Sequence, residues 1–184
     1  MSPSGRKRVS ASFAGLRPAS PEASRIATNA SRKRGTRCEV TLRRALRTLG
    51  LRFTTNSAEL PGCPDFVFRR EKVAVFADGD FWHGRKLADR IVRLAKGHNS
   101  EYWIWKIQSN VARDRRVRRQ LNALGWRVVR VWESDILSNI DRVTTRIAGA
   151  VMSVRAGYAT NEGHGSSETV RHDILAVRRN RAAQ

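Results

Sequence analysis

Two acids, an imidazole and three large aromatics crowd into one short stretch, Val73–Gly84 (VAVFADGDFWHG). LPGCPDFVF at Leu60–Phe68 delivers a further carboxylate, Asp65, just before it. Acids clustered in a chain with 36 Lys and Arg against 16 Asp and Glu, a formal charge of +20, need a reason. Metal-assisted cleavage of a nucleic-acid backbone supplies one. Bulk positive charge attracts phosphate, and a few carboxylates hold the divalent ion that attacks it.

Asp65 follows Pro64 at the mouth of a strand, where a carboxylate can project into a cleft; turn chemistry explains the same dipeptide. Strand alternation puts Val73, Val75 and Ala77 on one face and Ala74, Phe76 and Asp78 on the other. If Asp65 faces the cleft with Ala77, Asp78 points away, and the cleft receives the Ala77 carbonyl instead. Mg²⁺ accepts such a hard oxygen and keeps several waters. His83 can take a proton from water at neutral pH. Glu39 can reach the same cleft, cap its helix, or do both, since the two roles are not exclusive. Phe81, Trp82 and Trp103 are either wedges between base pairs or core residues.

The elements that must position these groups are readable in part. Thr36–Glu39 has capping-box spacing, and Leu42, Ala45, Leu46 and Leu49 follow as an apolar stripe up to Gly50. Leu51–Thr55 is β-like, and Asp65–Phe68 with Val73–Ala77 reads as a hairpin. Arg85–Asn99 reads as a loop with one helical turn at most. Ser100 is placed to cap a helix to Leu124 with Trp103, Ile107, Val111, Val117, Leu121 and Leu124 inward. Its Arg113–Arg119 run spreads around the helix, so part meets phosphate and part meets water. Arg127–Trp132 is a strand flanked by Trp126 and Trp132 as core, and Ser134 or Asp135 is placed to cap a last helix to about Ala150. The expected fold is α/β (α+β), a small mixed sheet with helices on its faces. Residues 1–31 read as a disordered basic arm, 32–150 as the folded domain, and 151–184 as a polar tail with a short helix at His172–Arg178.

Composition narrows the setting. No apolar run approaches a membrane span. Two cysteines, Cys38 and Cys63, build neither a disulfide framework nor a Cys-rich zinc site, which points to a reducing compartment such as the cytoplasm. The acid-free residues 1–20 fit a transit peptide or a DNA-contacting arm equally well. Gly-rich phosphate loops and Ser nucleophile elbows are absent.

LRRALRTLGLRF, LPGCPDFVF, VAVFADGDFWHG, SEYWIWKIQSNVARDRR and LGWRVVRVWE, in this order, resemble the very-short-patch-repair (Vsr) DNA mismatch endonucleases over roughly Arg25–Leu137. The resemblance implies a variant of the restriction-endonuclease-like PD-(D/E)xK fold with four strands. It also implies Mg²⁺-dependent nicking 5′ of the thymine in a T·G mismatch of double-stranded DNA. Asp65 matches the metal-binding aspartate, and Ala77 the residue whose carbonyl completes the metal site. His83 matches the water-activating histidine and Glu39 its supporting glutamate. Phe81, Trp82 and Trp103 match the intercalating aromatics. Asp78 stands where a further active-site histidine is expected. The family's zinc positions are matched by Asp80, Arg85, about Leu87 and Ser134, which cannot bind zinc, so no structural zinc is expected and Asp80 is expected to pair with Arg85. A bacterial, nucleoid-associated enzyme with mismatch-repair factors as candidate partners follows from the same likeness. Two alternatives remain open: a restriction or phage-defence nuclease without a mismatch requirement, and a catalytically decayed DNA-binding module.

Overall fold

The computed structural model describes residues 35–161. The arm, most of the tail and the His172–Arg178 helix lie outside the described residues. Helix α1 spans Arg37–Thr48, followed by strands β1 (Thr54–Thr55), β2 (Phe66–Phe68) and β3 (Val73–Asp78). Helices α2 (Leu87–Ala95) and α3 (Ser100–Ala123) precede β4 (Arg127–Trp132), and α4 (Glu133–Ser138) and α5 (Ile140–Asn161) close the order. The sheet runs β1-β2-β3-β4; β3 is antiparallel to β2 and parallel to β4. This is the mixed four-stranded α/β sheet that the sequence predicts.

The capping box forms. The Thr36 hydroxyl oxygen accepts the Glu39 N–H at 3.3 Å, and the Glu39 carboxylate accepts the Gly35 N–H and the Thr36 hydroxyl, each at 2.9 Å. The apolar side of α1 then buries Leu42 and Leu46 completely. They join Phe66, Phe68, Val73 and Val75 of the sheet, Val129 and Val131 of β4, and Val143 and Ile147 of α5 in the main core. The opposite face of the sheet packs Ala74 and Phe76 against Val117 and Leu121 of α3. Trimming one methylene from the middle of the main core tests this assignment. Ile147→Val should lower stability by about 1 kcal/mol in chemical denaturation, with an unchanged m-value.

Several expectations need correction. Arg85–Asn99 is no loop, because α2 fills most of it. Leu87, Ile91 and Leu94 repeat at i, i+4 and i+7 and lay the helix on α3. The cap position of α3 falls on Asn99, at a φ of +54°, in place of Ser100. Leu124 is exposed rather than inward, since it is already the C-cap. The last helix is two helices, broken at Asn139, whose side-chain oxygen accepts the Arg142 N–H at 3.0 Å and so caps α5. Ser134 and Asp135 do not cap; both turn to Arg85. Helix α5 also runs past Ala150 to Asn161. Among the described residues no helix is long and apolar enough to cross a membrane.

Candidate active site

The site forms where β2 begins and β3 ends. Antiparallel pairing of Phe66 with Val75 sets the start of β2 alongside the end of β3, so the carboxylate of Asp65 reaches Ala77. The Ala77 N–H donates to Asp65 Oδ2 at 2.7 Å. Burial pushes the Asp65 carboxyl up to about 6; the Ala77 hydrogen bond works the other way, and the charges of Glu39 and Asp78 push in the direction of burial. A desolvated carboxylate beside two further acids is one that a divalent cation would relieve. Glu39 is itself buried, at 5% exposure, and both its oxygens serve the α1 cap. The capping and supporting readings of Glu39 are therefore compatible: the cap fixes the carboxylate close enough to act on Asp65.

Among the described residues no group of three or more His, Cys, Asp or Glu side chains is arranged to hold a metal ion. A site of one carboxylate and one main-chain oxygen suits Mg²⁺, which is commonly held by one or two protein ligands and its own waters.

The raised carboxyl has a stability consequence. Folded Asp65 holds its proton more tightly than the unfolded chain does, so its contribution is full below the unfolded value near 4 and lost as pH rises through about 6. Asp65→Asn removes the buried charge and keeps an oxygen for the Ala77 N–H. In EDTA the variant should gain about 1 kcal/mol at neutral pH, allowing for solvent access, and nothing near pH 4. Denaturation at the two pH values reads the difference.

Asp78 follows the alternation and points to the α3 side. It is 2% exposed, and both its oxygens are held by the Arg130 guanidinium, Nη2 to Oδ1 at 2.6 Å and Nε to Oδ2. Arg130 Nη2 also stands 3.1 Å from Asp114 Oδ2. Burial works against the Arg130 charge, but the two carboxylates outweigh it and hold its pKa above the ordinary value. His83 completes the group, with Nδ1 at 2.6 Å from Asp114 Oδ2 and 3.5 Å from Asp78 Oδ1. Burial raises the Asp114 carboxyl, yet the His83 hydrogen bond and the Arg130 charge bring it below the usual range, so it is ionised at neutral pH. An ionised carboxylate only accepts, so His83 Nδ1 carries a hydrogen, and in the neutral ring Nε2 is the nitrogen with the lone pair.

The loop that carries His83 is braced from three directions. His83 N–H bonds the Gly79 carbonyl at 3.2 Å, and Arg85 N–H that of Asp80 at 3.1 Å. Asn110 of α3 donates to the Trp82 carbonyl at 3.0 Å. Gly84, at a φ of +70°, lies so close to α3 that a Cβ would meet Val111 Cγ2 at 2.7 Å. Arg85 pairs with Asp80 within the loop at 3.3 Å and ties the loop to α4 through Asp135 at 2.7 Å and Ser134. The Asp80–Arg85 pair read from the sequence is thus part of a four-residue cluster.

Phe81, Trp82 and Trp103 come together. Phe81 lies 5.0 Å from Trp82 and 5.9 Å from Trp103 between ring centroids, and Trp82 lies 6.0 Å from Trp103. All three are half-buried, outside both core clusters. The structure therefore gathers Asp65, Ala77, Glu39, Asp78 and His83 at one end of the sheet, with the aromatics on the adjoining loop and helix. Sequence reading missed Arg130 and Asp114. Arg130 leaves only a faint signal, in alternating with Val129 and Val131 on the same strand face as Val128 and Trp132. Asp114, set among arginines, leaves none.

Fold and site together define a small α/β protein of the restriction-endonuclease-like class. Residues 20–89 match the family described as DNA mismatch endonuclease Vsr. The chain is 40% identical over 131 residues to the type II nicking enzyme V.NmeDIP of Neisseria meningitidis serogroup C, covering 71% of this chain and 87% of that one. It is 39% identical to the type II nicking enzyme V.XorIIP of Xanthomonas oryzae pv. oryzae, covering 70% and 91%. With the DNA mismatch endonuclease Vsr of Escherichia coli it shares 40% over 100 residues, covering 54% and 62%. The chain belongs to the Vsr endonuclease family and is a DNA endonuclease, a phosphodiester hydrolase.

Proposed function

We propose that this endonuclease nicks one strand of double-stranded DNA at a T·G mismatch with Mg²⁺ bound, as a repair enzyme in the bacterial cytoplasm. The observation that carries the chemistry is the Asp114–His83 hydrogen bond, which commits Nδ1 and leaves Nε2 to serve as the base, at the end of the sheet that also holds the desolvated Asp65. Asp65 and the Ala77 carbonyl would hold the ion, which supplies positive charge to the phosphate and the leaving oxygen. His83 Nε2 takes the proton of the attacking water, and Asp114 stabilises the imidazolium that results. Asp78 acts through Arg130, holding Asp114 and His83 in place, and Glu39 fixes the electrostatic setting of Asp65. Phe81, Trp82 and Trp103 supply a rigid aromatic edge for insertion beside a mismatched pair, where unstacking costs least.

The relatives are nicking enzymes by name, which supports nicking, and the name of the Escherichia coli relative supports a mismatch as target. Matched and T·G-containing duplexes, each with Mg²⁺ or EDTA, provide the test. A single nick confined to the mismatched duplex with Mg²⁺ is expected. Equal cleavage of the paired duplex would point instead to a restriction or defence nuclease, and nicking in EDTA would remove Mg²⁺ from the reading.

A further inference from the structure

β4 is an edge strand of the sheet, and a cavity of about 270 Å³ opens beside it. Val111, Asp114, Arg115 and Arg118, at i, i+3, i+4 and i+7 on α3, form one wall. Arg130 and Trp132 of β4 form the floor, and Arg146 reaches in from α5 on the other side of the sheet. His83 borders the cavity, whereas Asp65, Ala77 and Glu39 do not.

The charges here are unbalanced. Arg130 is neutralised by Asp78 and Asp114. Arg115, Arg118 and Arg146 form no ion pair with an acid among the described residues. Three like charges from two helices on opposite sides of a sheet repel one another around a shared space, and an anion between them reverses the sign. Guanidinium groups hold phosphate oxygens in bidentate fashion. The arginine run on α3 is thus divided: Arg115 and Arg118 face the cavity, while Arg116 and Arg119 lie off that stripe.

We infer that this cavity binds a DNA backbone phosphate other than the scissile one, setting the register of the strand on His83. Successive phosphates stand one nucleotide step apart, about 3.4 Å of rise per strand, so a phosphate held beside His83 fixes the position of its near neighbours. The inference rests on DNA being the substrate, which the family shows, and not on the Mg²⁺ or mismatch readings.

Binding of a mismatched duplex is measured in EDTA, so that loss of nicking chemistry cannot enter. Arg118→Gln with Arg146→Gln should weaken binding by about tenfold at moderate salt and flatten the slope of log K against log salt by about one. Arg116→Gln with Arg119→Gln changes the charge equally and should move both quantities far less. Duplexes with one methylphosphonate at successive backbone positions complete the test. One position near the nick should reproduce the loss with the unaltered protein and add nothing with the Arg118/Arg146 pair. Equal losses from the two pairs would leave only bulk charge and overturn the inference, as would the absence of any such position. Calorimetric binding of inorganic phosphate that depends on Arg118 and Arg146, with the DNA slope unchanged, would make the cavity a free-anion site and also overturn it. All four arginines are exposed, so the folds of the variants are compared directly by thermal melting.

Discussion

Asp65→Ala should abolish nicking, by roughly 10³-fold or more, while leaving duplex affinity close to that of the unaltered protein. Loss of the ion's charge stabilisation removes several kcal/mol from the transition state, and each ~1.4 kcal/mol is tenfold in rate. Binding is retained because the positive charge that draws DNA is spread over the chain. Asp65 contributes a negative charge, whose removal does not weaken attraction to phosphate. Single-turnover nicking of supercoiled plasmid beside a binding titration in EDTA checks both halves. Nicking by Asp65→Ala at the ordinary rate would remove Asp65 from the site.

His83→Ala should lower the nicking rate by about 10²–10⁴-fold, the usual contribution of a placed general base. Asp114→Asn should reproduce part of that loss. The amide can present an N–H to Nδ1, which shifts the imidazole proton to Nε2 and removes the lone pair that takes the water's proton. Because Asp114 acts only through His83 in this scheme, the double variant should be no slower than His83→Ala alone. Additive losses would show that Asp114 serves nicking by some other route.

The sequence makes local features legible and distant partnerships illegible. Thr36 and Glu39 announce their helix because a capping box is written in four consecutive residues. The β2–β3 hairpin and the placement of Asp78 on the sheet face opposite Ala77 follow from a period of two. Helix α2 escapes notice because its stripe is short and Asp89, Arg90 and Arg93 interrupt it; it has no fully buried residue to mark it. Asn139 looks like any polar residue within a helical stretch until its side chain is seen to start α5. The hydrogen bond between His83 and Asp114 spans 31 positions, and only the passage of α3 across the loop brings them together. Arg130 reads as one more positive charge in a chain full of them. Its burial against Asp78 becomes visible only once β3 and β4 run parallel in register.

The groups of the proposed site are drawn from far along the chain: Glu39 at the first helix, Asp65 and His83 after it, Asp114 well within α3, and Arg130 on the last strand. A polypeptide emerging from the ribosome exposes its acid and imidazole long before β4 exists to pair with β3. On the proposed mechanism, cutting power arrives late in synthesis, and a fragment broken off ahead of Arg130 should leave DNA intact.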